Sequence, residues 1–150
     1  MIMKTLKNVI LISLLFSIGA CALENEKRIV ESSPSEKIFA KAEDDFSKGE
    51  YALALKGYSD YMYKFPDQPS APAALYKIGA IYASRANQDR ARQSYQEIVK
   101  SYPQSPYYKD AMMEILASYY REKRYSDVIR SGKTVPDNLN PPDYLMRKYT

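Results

Sequence analysis

Side chains suited to acid–base or metal chemistry are few in this chain. Its 150 residues include no histidine and a single cysteine, Cys21. Histidine is the most frequent general acid or base and a common metal ligand, so sites built on it are excluded. Three consecutive acids, Glu43, Asp44 and Asp45, point in different directions on a helix and do not converge. We therefore predict no catalytic residues, no metal site and no cofactor.

One short string has the letters of a phosphate-binding loop. Ser131-Gly132-Lys133-Thr134 matches the end of the pattern G-x-x-x-x-G-K-[ST], whose glycines free backbone N–H groups for phosphate. The first glycine of that pattern is replaced by Asp127, and the preceding segment has a helical pattern rather than that of a strand. A nucleotide site is not predicted here.

Cys21 follows a segment with the pattern of a secretory signal. Two lysines precede an apolar run over residues 9–18, and two small residues separate that run from the cysteine. The run is about half of the roughly 20 residues that cross a bilayer, so residues 1–20 are predicted to be a signal peptide. Without them the net charge falls from +4 to +2, because they contain two lysines and no acid. The remaining charges are interspersed, which does not favour nucleic-acid binding.

The segment Ile18-Gly19-Ala20-Cys21 resembles the lipobox of bacterial lipoproteins. The resemblance implies cleavage before Cys21, a diacylglycerol on its thiol and an N-acyl chain such as palmitate on the new amino terminus. Two or three chains give stable attachment. Ala22 stands where an aspartate retains enteric lipoproteins in the inner membrane, which implies the outer membrane and a periplasmic location. The alternative is a soluble secreted protein with an unmodified cysteine.

The polar residues 21–34 are predicted to be a flexible tether, which reaches about 40 Å when taut. Beyond it a spacing of 37 residues recurs: Pro66 and Pro103, Tyr58 and Tyr95, and Ala54, Ala91 and Val128 superpose. A fixed period in this range indicates stacked supersecondary units. Apolar residues three and four apart predict helices between the prolines. We predict an all-α solenoid over residues 35–150, with helix pairs at 35–48 and 50–65, 70–85 and 88–101, and 106–122 and 125–134.

The second unit resembles the tetratricopeptide repeat, whose usual period is about 34 residues. It has the expected residues in its two helices: Leu75, Ile78, Gly79, Tyr82, Ala91, Tyr95, Ile98 and Pro103. The longer loops resemble a periplasmic branch that includes the lipoprotein of the β-barrel assembly machine and the Tol-Pal-associated coordinator of cell division. The resemblance implies that Gly79 and Ala91 let paired helices approach closely, and that Tyr58, Tyr82, Tyr95 and Phe65 pack in the core.

The outer units depart from this pattern. The first has Lys41 and Asp45 where the others have isoleucine and tyrosine, as expected of a solvent-facing terminal repeat. The third has Gly132 in place of Tyr58 and Tyr95, so its second helix is expected to be frayed. Residues 141–150 are expected to begin a fourth unit, which either caps the array or continues into a longer product.

The resemblance also implies a binding groove lined by the first helix of each pair. We call this surface the first-helix face; its candidate residues are Phe39, Glu43, Phe46, Tyr76, Ala80, Met113, Tyr120 and Arg121, with Ala83 and Ala117 between them. Aromatic residues and arginine are frequent anchors of protein interfaces. Packing between helices is the alternative for Phe39 and Tyr120.

The predicted function is a non-catalytic, lipid-anchored scaffold for envelope proteins, in outer-membrane protein assembly or in coordinating the envelope with division. Two alternatives have the same architecture. One is a regulator of peptidoglycan synthesis, as the front module of a longer activator; the other is an accessory lipoprotein of a secretion or pilus machine. The 15 tyrosines also make peptidoglycan itself a candidate partner.

Overall fold

A computed structural model describes residues 32–133, which form six α-helices and no strand. The helices are α1 (Pro34–Ser47), α2 (Tyr51–Lys64), α3 (Ala71–Ser84), α4 (Gln88–Ser101), α5 (Tyr108–Arg121) and α6 (Tyr125–Gly132). Each helix packs on the next one along the chain. The all-α solenoid of helix pairs is confirmed, with bounds within two residues of those predicted. No helix in the described part is long and apolar enough to cross a membrane.

Several predicted segments lie outside the described residues. They are the signal peptide at residues 1–20, the lipidated Cys21 with nearly all of the tether, and the partial fourth unit at residues 141–150.

The start of α1 is set by its local sequence. The Ser33 hydroxyl accepts a hydrogen bond from the Glu36 N–H at 3.2 Å, and the Glu36 carboxylate accepts one from the Ser33 N–H at 2.8 Å. This capping box satisfies two N–H groups that have no partner inside the helix. Pro34 occupies the first helical position, where its missing N–H costs nothing. The helix therefore begins one residue earlier than predicted, at the last residue of the expected tether.

The turn inside each pair has the same unusual backbone. Gly49, Ala86 and Lys123 are 37 residues apart and have φ angles of 77°, 59° and 58°. The following N–H group bonds a carbonyl five residues back, 2.9 Å away in each repeat: Glu50 to Asp45, Asn87 to Tyr82 and Arg124 to Tyr119. This is the Schellman arrangement, which ends a helix with a left-handed residue. Only the first repeat has glycine at this position.

Small residues set the spacing of the paired helices, as predicted. A Cβ placed on Gly79 of α3 would lie 2.6 Å from the Tyr95 ring of α4, and one placed on Gly57 of α2 would lie 2.8 Å from the Ala42 Cβ of α1. Tyr58 and Tyr95 are 0% and 2% exposed, which confirms them as core residues. In the second pair a second-helix ring therefore packs on a small residue, whereas in the first pair two small residues meet.

A buried arginine joins the second and third pairs. Arg92 of α4 is only 4% exposed. The equivalent residue of the first pair is the apolar Leu55, so the charge is particular to the second pair. Its guanidinium donates to Glu122 at 2.7 Å and to the Ser118 hydroxyl at 3.3 Å, and its centre lies 4.6 Å from the centroid of the Tyr119 ring. Because buried charge is tolerated only when it is paired and hydrogen-bonded, this cluster fixes the position of α5 on α4.

The terminal units depart from the central one, but not entirely as predicted: Lys41 is exposed to solvent, whereas Asp45 is only 7% exposed. Lys41 bonds Asp45 at 3.1 Å across one turn of α1, beside an open groove of about 360 Å³ between α1 and α2. At the other end, α6 has eight residues where the other helices have 14.

Ser131 and Gly132 belong to α6, and Asp127 pairs with Arg124 and Arg130. The hydrogen bond from Arg124 holds the pKa of Asp127 below its usual range. Ser131 and Gly132 are therefore helical and do not form a phosphate-binding loop.

The left-handed turns predict a gain in stability from glycine. Ala86→Gly and Lys123→Gly are each expected to raise the free energy of unfolding by about 1 kcal/mol, because an L-residue in this conformation costs roughly 1–2 kcal/mol. Gly49→Ala should lower it by a similar amount, and its Cβ would meet no atom within 4 Å, so only the backbone contributes. Urea denaturation followed by circular dichroism measures all three. The control Ala52→Gly, at an exposed position in the first turn of α2, should instead destabilise, by up to about 1 kcal/mol. Equal losses for Ala52→Gly and Ala86→Gly would contradict the prediction.

Candidate protein-binding face

The first-helix face is built by α1, α3 and α5. Seven of its eight candidate residues are half-buried, and the Arg121 side chain is 46% exposed. The seven are Phe39, Glu43, Phe46, Tyr76, Ala80, Met113 and Tyr120. Such partial exposure suits residues that pack on their own domain and still offer a surface. Their role in binding stays a prediction.

Between α1 and α3 the face is held by a charged network. The Tyr58 hydroxyl donates to the Glu43 carboxylate at 2.5 Å, and Lys77 Nζ lies 3.7 Å from the other oxygen of that carboxylate. Lys77 Nζ also lies 4.2 Å from the centroid of the Phe46 ring, a cation–π contact. Burial raises the pKa of Tyr58, and the bond to Glu43 raises it further. Glu43 and Phe46 are thus fixed in place by their neighbours.

The neighbouring acids have separate partners. Asp44 accepts from Lys48 at 2.6 Å, whereas Asp45 accepts from Lys41 and Glu43 from Tyr58. Within residues 32–133 no group of three acidic or thiol side chains is arranged to hold a metal ion. Each of the three carboxylates therefore has its own partner, and they do not converge on one site, as their helical spacing predicted.

Between α3 and α5 the face is aromatic and charged. The Tyr76 ring lies 5.5 Å from the Tyr95 ring and 5.4 Å from the Tyr107 ring, measured between centroids. Arg121 reaches Gln88 at 3.3 Å and Glu114 at 3.4 Å. Burial raises the pKa of Tyr76, and the charge of Glu114 adds to the effect. This part of the face offers ring surface beside an ion pair open to solvent.

Phe39 and Tyr120 combine the two roles considered for them. The Phe39 ring meets the rings of Tyr58 and Tyr61 edge-on, at 5.9 and 5.3 Å, and Tyr120 meets Tyr125 at 5.9 Å. Both side chains therefore pack against a second helix. Both also retain part of their surface.

Lys77 and Glu114 belong to the face but were missed by the sequence reasoning. They are 37 residues apart and each follows a named candidate, Tyr76 or Met113. Their side chains are 28% and 35% exposed. Glu114 and Arg121 are seven residues apart, which is two helical turns, and this spacing could have identified Glu114 from the sequence.

The bond between Tyr58 and Glu43 predicts a coupling energy. Tyr58→Phe is expected to lower the free energy of unfolding by about 1.5 kcal/mol, because the Glu43 carboxylate loses its hydroxyl donor. Combining it with Glu43→Ala should cost less than the sum of the single variants by about 1 kcal/mol. Urea denaturation of the four proteins measures this cycle. Additive losses would show that the two groups do not interact.

Comparison with known proteins agrees with this architecture. Residues 73–105 match the tetratricopeptide-repeat family, a stretch that covers most of α3, all of α4 and part of the loop that follows. This is the unit whose residues resembled the repeat most closely. No curated protein matches the chain significantly. The chain therefore contains a tetratricopeptide repeat within an all-α solenoid, the kind of module that binds other proteins.

Proposed function

We propose that this protein is a non-catalytic, lipid-anchored scaffold of the bacterial envelope that binds partner proteins through its first-helix face. The observation that carries the proposal is the composition of that face between α3 and α5. Half-buried Tyr76 and Met113 lie on the same face as the small residues Ala80 and Ala117. Tyrosine, methionine and arginine are enriched at protein interfaces, and small residues leave room for an incoming segment.

The charges of the face support a specific partner. Lys77, Glu114 and Arg121 are all partly exposed and contribute both signs. A partner peptide or helix can therefore place its apolar side on the rings and its polar groups on the charges. Such mixed charges contribute more to specificity and correct register than to affinity.

The proposed anchor places the module near a membrane. Cys21 would carry the diacylglycerol and the N-acyl chain, and α1 begins only 13 residues later, at Pro34. The start of α1 would then stay within about 40 Å of the bilayer. We place it at the outer membrane facing the periplasm, with barrel-assembly or division components as its partners. A regulator of peptidoglycan synthesis, or an accessory lipoprotein of a secretion or pilus machine, would have the same architecture.

Lipid attachment is tested by Cys21→Ser. This variant is expected to lose labelling with radioactive palmitate and to leave the membrane fraction, because no thiol remains to carry the diacylglycerol. Ser32→Ala, also on the amino-terminal side of α1, serves as the control and should keep both. A variant without Cys21 that still incorporates palmitate would show that the anchor is assigned wrongly.

The partner and the face are tested together by crosslinking in native membranes. The double variant Tyr76→Ala/Met113→Ala should lose capture of the partner, because truncation of interface anchors typically costs 2 kcal/mol or more. Tyr63→Ala removes a tyrosine that is 87% exposed on α2 and should leave capture unchanged. Barrel-assembly components among the captured proteins would support the first pathway, whereas wall synthases or Tol-Pal components would move the function to division. Equal capture by all variants would exclude the first-helix face as the binding site.

A further inference from the structure

Two equivalent tyrosines on the second helices differ in their hydrogen bonding. Tyr58 of the first pair donates its hydroxyl to Glu43. Tyr95 stands 37 residues later in the same structural position, and the residue equivalent to Glu43 is Ala80. The methyl group of alanine cannot accept a hydrogen bond. The second pair therefore has the donor of this interaction without the acceptor that the first pair supplies.

The Tyr95 hydroxyl makes no hydrogen bond with any residue between 32 and 133, although the residue is only 2% exposed. Among the described side-chain oxygens, only Ser105 Oγ is both without a hydrogen bond and sealed from solvent. The Tyr95 oxygen has no hydrogen bond but is not sealed, so it keeps contact with solvent. Its ring is held on one side by Gly79, where a Cβ would come within 2.7 Å of Cζ, and on another by Tyr76. The ring, and with it the hydroxyl donor, is thus fixed in place.

The surroundings of this donor are charged. Burial raises the pKa of Tyr95, Glu114 raises it further and Arg121 opposes the rise. The hydroxyl therefore stays protonated at neutral pH and can donate. Glu114 is 35% exposed and is bonded to Arg121 by one oxygen at 3.4 Å, which leaves capacity to accept another hydrogen bond. Glu114 is the repeat equivalent of Lys77, whose Nζ lies 3.7 Å from the carboxylate that accepts from Tyr58. The register therefore places a carboxylate acceptor near the Tyr95 hydroxyl.

We propose that the first-helix face binds a partner segment through an asparagine or glutamine side chain, whose carboxamide oxygen accepts from the Tyr95 hydroxyl and whose NH₂ donates to Glu114. The proposal rests on the function proposed above and specifies the chemistry of that site. A carboxamide offers a neutral acceptor and a donor on two atoms bonded to the same carbon. A ligand carboxylate would be repelled by Glu114, and an ammonium group has no acceptor for the tyrosine hydroxyl.

The first pair shows why a carboxylate is suitable there and unsuitable here. Glu43 lies between the Tyr58 hydroxyl and the positive charge of Lys77. Glu114 takes the position of Lys77 one repeat later, so the charge beside the second tyrosine is negative. The exchange of Glu43 for Ala80 and of Lys77 for Glu114 removes one negative charge and replaces a positive charge with a negative one.

The test is selection of random dodecapeptides on the full chain, followed by affinity measurement on matched variants. We expect the selected peptides to contain asparagine or glutamine at one recurrent position. Tyr95→Phe should weaken their binding about tenfold, because one hydrogen bond is lost. Ala80→Glu should abolish binding, because its carboxylate would accept from Tyr95 as Glu43 does from Tyr58. Tyr63→Phe removes the hydroxyl of a tyrosine that is 87% exposed on α2 and should leave binding unchanged.

Thermal unfolding supplies a measurement that needs no ligand. Tyr95→Phe is expected to keep the unfolding midpoint within about 2 °C of the parent, because the hydroxyl has no bond to lose, whereas Tyr58→Phe lowers it by several degrees. A loss with Tyr95→Phe as large as that with Tyr58→Phe would show that the hydroxyl is already satisfied within the chain and would overturn the proposal.

The remaining outcomes separate this proposal from the proposed function. Selected peptides that bind equally well to Tyr95→Phe and to Ala80→Glu, but lose binding to Tyr76→Ala/Met113→Ala, would overturn the carboxamide site and support the binding face. Enrichment of aspartate or glutamate at the recurrent position would overturn the carboxamide chemistry alone. Failure to select any peptide would count against both.

Discussion

The close approach of two paired helices at a small residue is the contact on which the solenoid depends. Tyr95 lies on Gly79 so closely that even one added carbon would overlap the ring. In the first pair the close approach is between Gly57 and Ala42, and Tyr58 is buried beside them. These contacts set the distance between the helices of a pair, and the pairs can then stack at a constant period. A fault here would displace every residue of the first-helix face.

The contacts between pairs are more varied than those within them. Apolar residues such as Met62 and Tyr82 join the first two pairs, whereas Arg92 joins the second and third through Glu122, Ser118 and the Tyr119 ring. A buried ion pair adds little net stability compared with an apolar contact, but it allows only one geometry. The orientation of α5, and with it the position of Glu114 and Arg121, is therefore tied to a polar cluster on another surface of the module.

Much of the fold was predictable because its signals are local or periodic. The 37-residue spacing of prolines and tyrosines predicted the helix pairs, and the proline at position 34 and the serine before it are typical of a helix start. The candidate site was predicted less completely. Register along the first helices identified Tyr76, Ala80 and Met113, but Lys77 and Glu114 were missed, because a charged residue on a helix is usually assigned to solvent.

The sequence by itself determined the helix pairs, the lipobox-like segment before Cys21 and the small and aromatic residues of each unit, since these follow from spacing and residue type. Tertiary structure alone decided which polar groups meet. Glu43 and Tyr58 are 15 residues apart and Arg92 and Glu122 are 30 apart, so helical periodicity does not pair them. For the Tyr95 hydroxyl, the repeat register accounts for the loss of the acceptor that Tyr58 has, because Ala80 takes the position of Glu43. Only tertiary packing decided that no other described residue supplies an acceptor, because hydrogen bonding depends on atoms a few ångströms apart.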